Sequence, residues 1–219
     1  MKILAVLLLT ITAITACASP HLSPISKESG STYFGDYEPV EPDSLEEIPA
    51  PVRVKLLNHL KDRLGPFTER LTFAGGQMVD FERLAREEPD SKDFEWEVHA
   101  YDLHFTFQMP GIGIKSYTAQ IELRSDGSVL EEIDLPAFAS SPDKLNFISL
   151  QSAASIAVAE GYNRNKLSPE IIYFKDADSL VWKFQETTSD DGLNIEYKNI
   201  YVSAHNGKIL KEFSSSAIR

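Results

Sequence analysis

The chain has 219 residues, 42% of them hydrophobic, and a formal net charge of −12 at pH 7. A surface this acidic repels phosphate backbones and anionic headgroups, which argues against nucleic acid as a partner; it also keeps a protein soluble, and that plainer reading suffices to explain it. Cys17 is the single cysteine, so no disulfide can form within the chain.

Lys2 supplies a positive start, and the apolar run from residue 3 to residue 14 is too short for a permanent span, which takes about 20 apolar residues. The run ends in Ile14-Thr15-Ala16-Cys17, which resembles the bacterial lipobox, with Ile14 in the place more often held by leucine. The resemblance implies a signal peptide over residues 1–16 and a mature chain that begins at Cys17. It also implies acyl chains such as palmitate on that cysteine, and so a membrane anchor. The alternative is an ordinary secretory signal that leaves Cys17 as a free thiol, a reactive liability in an oxidising compartment. Ala18 and Ser19 lack the aspartate that retains such lipoproteins on the inner membrane, so the resemblance points to the outer membrane of a Gram-negative cell envelope. Removal of Lys2 with the signal takes the charge from −12 to −13.

Residues 17–50 are rich in Pro, Ser, Gly and acidic side chains and read as a flexible tether. The aromatic patch Tyr33, Phe34 and Tyr37 interrupts it, and docking on its own domain is the simplest use for it.

Residues 51–140 read as an N-terminal α+β lobe. Pro51 suits a first helical turn, and Val52, Leu56, Leu57, Leu60 and Leu64 recur at helical spacing until Gly65-Pro66 stops the helix. A strand over 67–74 and a Gly75-Gly76 turn follow. Residues 77–88 fit either a helix or a longer strand. Alternation from Phe94 to Ala100 resumes from Leu103 to Met109 with a phase slip near Tyr101, as a bulge would give. Pro110-Gly111 turns the chain into a strand over 114–123, and Asp126-Gly127 turns it into another over 129–133.

Residues 141–219 repeat that order as a C-terminal lobe. Asn146 to Ser149 offer caps for a helix through Glu160 that Gly161 ends, with Ala153, Ala154 and Ala157 on a small-residue face. Strands are expected over 170–174, 180–186, 195–203 and 208–213, with Asn206-Gly207 at the last turn. The fold class expected is α+β, two similar lobes each packing one helix on an antiparallel meander.

Residues 149–213 resemble a PepSY domain. The match rests on the helix Ser152-Ala153-Ala154-Ser155-Ile156-Ala157, the aromatic strand Leu180-Val181-Trp182-Lys183-Phe184, and the closing hairpin Ile200-Tyr201-Val202-Ser203-Ala204-His205-Asn206-Gly207-Lys208-Ile209-Leu210. Ser203 and Asn206 stand where that family has aspartate and threonine. The resemblance implies a cystatin-like sheet and helix, no catalytic residues, and a role in restraining or regulating a peptidase. Residues 51–140 would then be a diverged copy.

Binding candidates are Trp182 and Phe184 on the aromatic strand and His205 and Asn206 at the closing turn. Trp96, Phe105, Phe107, Trp182 and Phe184 read as core at this spacing, and would mark a groove only if exposed. Glu95, Glu97 and His99 share one face of a strand and form a candidate metal set, with Asp102 and His104 repeating the pattern. A solvated polar face opposite Trp96 and Val98 explains the same alternation without metal. No Gly-x-Ser-x-Gly elbow, His-Glu-x-x-His pair or phosphate-cradling loop occurs. The reading is a non-enzymatic, lipid-anchored module without a cofactor, binding a protein or peptide of the envelope. Alternatives are an assembly factor and a hydrolase using the Glu95, Glu97, His99 face. A sheet edge open to a partner strand is the other binding mode expected.

Overall fold

The computed structural model describes residues 37–89 and 99–219. The signal and Cys17, Tyr33 and Phe34, and Glu95, Trp96 and Glu97 lie outside the described residues. Those described form an α+β body of three α-helices and two four-stranded antiparallel sheets, each a meander in chain order: β1-β2-β3-β4 and β5-β6-β7-β8.

The first helix, α1, spans Ala50–Leu64 and buries Val52, Leu56, Leu60 and Leu64, one side chain per turn. Leu57 points away and is 42% exposed. The strand expected over 67–74 starts later. A 3-10 turn over Gly65–Arg70 drives Phe67 inward, and β1 is Thr72–Met78. Gly75 and Gly76 are not a turn but lie inside β1, where the register against β2 shifts. The ambiguous stretch divides: β1 runs on to Met78, then Asp80 caps α2 (Phe81–Glu87) by accepting hydrogen bonds from the amides of Glu82 and Arg83.

The strands β2 (Tyr101–Met109) and β3 (Ile114–Leu123) put Leu103, Phe105, Phe107, Ala119 and Ile121 toward the core. The shorter β4 is Val129–Glu131. In the second half α3 (Leu150–Ala159) is capped by Ser149, whose Oγ accepts from the Ser152 amide. Then come β5 (Ser168–Phe174), β6 (Ser179–Asp190), β7 (Asn194–Ser203) and β8 (Ile209–Ile218). Both β6 and β8 outrun the expected strands, because alternation weakens in the Thr and Ser runs at their ends while pairing with β7 continues to Ile195 and Ile218.

The body begins before residue 51. Tyr37 is buried, its hydroxyl accepts from the Asp80 amide at 2.7 Å, and the Arg83 guanidinium lies 4.7 Å from its ring centre. Val40 exchanges two backbone hydrogen bonds with Met78, and Ile48 is 1% exposed. Residues 37–50, expected as tether, are thus part of the fold, and Tyr37 docks on its own domain.

The expected boundary near residue 140 does not divide the interior. One cluster of buried side chains takes in α1, β2 and β3, the connecting residues Ile133, Leu135 and Phe138, and α3, β6 and β7. Phe138 lies 4.4 Å from Phe67 and 6.2 Å from Phe147 by ring centres, so aromatic rings carry the core across the connection.

Candidate functional site

The four binding candidates do not share a surface. Trp182 and Phe184 are 2% and 1% exposed, because the even-numbered side chains of β6 face α3. The Trp182 indole nitrogen donates to the Ile148 carbonyl at 3.2 Å. His205 is buried between Phe138 and Phe147, and its Nε2 accepts from the Leu180 amide at 3.1 Å. Of the four, Asn206 alone is exposed, and its Oδ1 accepts from the Lys208 amide within the turn. Trp182 and His205 are core groups, a consequence of the hairpin closing over α3.

Burial pushes the His205 pKa down, aided by the Lys144 charge and opposed by the nearby Asn146 and Lys144 carbonyls. The ring is therefore held neutral, with Nδ1 enclosed and lacking a hydrogen-bond partner.

The metal set is not assembled among the described residues. His99 Nδ1 lies 3.7 Å from Glu122 Oε2, and no group of three or more His, Cys, Asp or Glu among those residues is placed to hold a cation. Asp102 and His104 do come together, on the sheet face opposite α1. Asp102 is 2% exposed, and its Oδ1 lies 3.3 Å from His104 Nε2, a charge contact without good hydrogen-bond alignment. The Asp102 carboxylate raises the His104 pKa against the opposing effect of burial.

Where the first meander meets α3, the chain leaves an open cleft of about 440 Å³. One wall is the loop Pro110–Ile112 with Gly113, between β2 and β3; the other is the start of α3. Leu150, Ala154, Leu167 and the edge of Phe184 make its lining mostly apolar, and Arg164 stands at the rim. Arg164 is exposed and makes no ion pair among the described residues. Gly113 fixes how near the walls come: its φ is 97°, and a Cβ there would lie 2.7 Å from Leu150 Cβ. A cleft of this size, apolar with one cation at its mouth, holds a few side chains of a bound segment. Of the predicted binding residues only Phe184 reaches it. Gly111 and Gly113 beside Pro110 were the available sequence signal, but that spacing reads equally well as a plain turn.

A polar clasp joins the halves beside the aromatic bridge. Asp178, at the turn from β5 to β6, accepts from Lys144 Nζ at 2.8 Å, the Tyr173 hydroxyl at 2.9 Å and the Ala137 amide at 3.2 Å. Arg63 of α1 donates to the Leu135 carbonyl at 2.8 Å and approaches Asp178 at 3.5 Å. Burial, with the Asp178 hydrogen bond, pushes the Tyr173 pKa up to about 12. The clasp is structural, since Asp178, Lys144 and Tyr173 are bound to one another and none of them lines the cleft.

Compared with protein-family models, curated proteins and solved structures, the chain matches none of them.

Proposed function

We propose that this chain is a lipid-anchored, non-enzymatic binding module of a bacterial cell envelope. In this reading two cystatin/PepSY-like lobes hold a segment of an envelope protein in the cleft between β2–β3 and α3, with a peptidase as the partner to expect. The observation that carries it is the cleft itself, whose apolar lining and unpaired Arg164 lack an occupant of matching chemistry within the described residues.

The duplicated-lobe reading has its own support. A Cβ on Gly127 would lie 3.1 Å from Val52 Cα of α1, and one on Gly207 would lie 3.0 Å from Ile156 Cδ1 of α3. In both halves the glycine of the last hairpin turn meets the helix that opens that half, as expected of two copies of one unit. The anchor reading rests on the lipobox-like Ile14-Thr15-Ala16-Cys17, and the outer membrane on Ala18 and Ser19.

Crosslinking from intact cells, with the lipidated chain as bait and Ala154→Trp as the blocked control, tests the function. A recurring envelope peptidase whose crosslinks vanish in the blocked variant is the expected result. An assembly complex without a peptidase, or crosslinks indifferent to Ala154→Trp, overturns it. Cys17→Ala should move the protein from the membrane to the soluble fraction, and retention of the variant on the membrane would sink the anchor.

A further inference from the structure

Among the described residues two open sheets present four edges, and three are blunted. The outer side of β1 is met at Met78 by Val40 and carries two glycines at a register shift; β4 has three residues; β5 contains Pro169, which has no amide to donate. The fourth edge, β8, is blunted only at its start, where the register against β7 shifts between Ile209 and Lys211. Its ten residues include no proline or glycine, its register with β7 is unbroken from Lys211 to Ile218, and Lys211 and Glu212 are its only charges. Leu193 and Ile218 beside its end are 69% and 83% exposed. A long, neutral edge of this kind recruits another strand.

We infer that β8 pairs antiparallel with β8 of a second copy across a two-fold axis at Ser214, joining two four-stranded sheets into one. Self-complementarity selects the occupant. A two-fold antiparallel pair sets one residue opposite its own copy, so few centres are available. Centres at Lys211 or Glu212 oppose like charges, and a centre at Ser215 sets Lys211 against Arg219. The centre at Ser214 puts Lys211 opposite Ala217 and Glu212 opposite Ser216, and lays the exposed Ile218 against Leu210. A second copy is otherwise repelled by a net charge of −12, whereas along residues 209–219 the cations Lys211 and Arg219 outnumber Glu212. The exposed Ser214 and Ser216 offer no side-chain obstacle to the approach.

The full chain in a non-ionic detergent should show twice the monomer protein mass by light scattering. The double substitution Ser214→Lys, Ser216→Lys should return it to the monomer with its circular dichroism unchanged. On a Cys17→Ala background, Ser214→Cys should crosslink to a homodimer with a short bis-maleimide while Thr118→Cys on the other sheet does not; this arm decides the matter should the lysine variant fail to fold. A monomer at every concentration, a dimer that survives the lysine pair, or equal crosslinking at Thr118 and Ser214 overturns the inference.

Discussion

Lys144 Nζ lies 2.8 Å from Asp178 Oδ2, and through that contact the segment connecting the two meanders is held to the turn between β5 and β6. Asp178 is also the one described non-glycine residue with a left-handed backbone, at φ 42°. Asp178→Ala should cost about 1–3 kcal/mol in denaturant unfolding, because it strands Lys144 and the Ala137 amide together. With the Asp178 side chain 36% exposed, the lower end of that range is expected. A variant as stable as the parent would show that the clasp is not holding the connection.

The same carboxylate sets an acid limit. Burial alone would raise its pKa, but hydrogen bonds from Lys144, Tyr173 and the Ala137 amide outweigh burial and hold it below the ordinary value of 3.8. The folded state then binds fewer protons than the unfolded state. The contribution is complete above that ordinary value and is lost as pH falls through the lowered one. Asp178→Asn should flatten this part of the acid limb in unfolding curves taken below about pH 4.

His205 and His104 titrate with opposite signs. His205 has a lowered pKa, so its contribution stands above the ordinary histidine value of 6.5 and declines as pH drops through the lowered one. Protonation would also cost the acceptor for the Leu180 amide. His205→Gln, which keeps an acceptor, should reduce the fall in Tm between neutral and mildly acidic buffer.

His104 has a raised pKa, so its pairing with Asp102 stabilises below 6.5 and is lost as pH rises through the raised value. Asp102→Asn should bring the His104 titration, followed by NMR, down toward 6.5. A titration that does not move would mean that Asp102 does not hold the ring.

Gly113→Ala should lower stability by about 1–3 kcal/mol, since both the left-handed backbone and the approach to Leu150 exclude a Cβ. Gly111→Ala is the matched control and should be near neutral, because a Cβ there would meet no atom within 4 Å. Equal effects at the two positions would show that the cleft walls are not set by Gly113.

Much of this fold can be read from the chain. Leucine spacing and Gly65 delimit α1, Ser149 and Gly161 bracket α3, and the turns at Asp126-Gly127 and Asn206-Gly207 fall where expected. Alternation failed where tertiary demands overrode it. Phe67 looks like the start of a strand because it is apolar, yet it is buried from a 3-10 turn, 5.1 Å from Phe107 by ring centres. Residues 37–50 look like tether because Pro and Glu dominate, and a few anchors such as Tyr37, Val40 and Ile48 suffice to dock them. The site was less legible. Strand parity correctly makes Trp182 and Phe184 core, and for that reason they were poor markers of a surface. The cleft forms where distant segments meet, around residues 111–113, 149–154 and 164–169, and no local pattern encodes such a meeting.

The aromatic bridge from Phe67 through Phe138 and Phe147 to His205 bears on portability. Residues 141–219 hold a complete four-stranded meander and look transplantable as a cassette. Cut away from Phe67 and Phe138, however, they would bare Phe147 and the His205 ring to water. Gene fusions or truncations that cut between the two meanders would therefore yield sticky halves, so the two are heritable only as one unit.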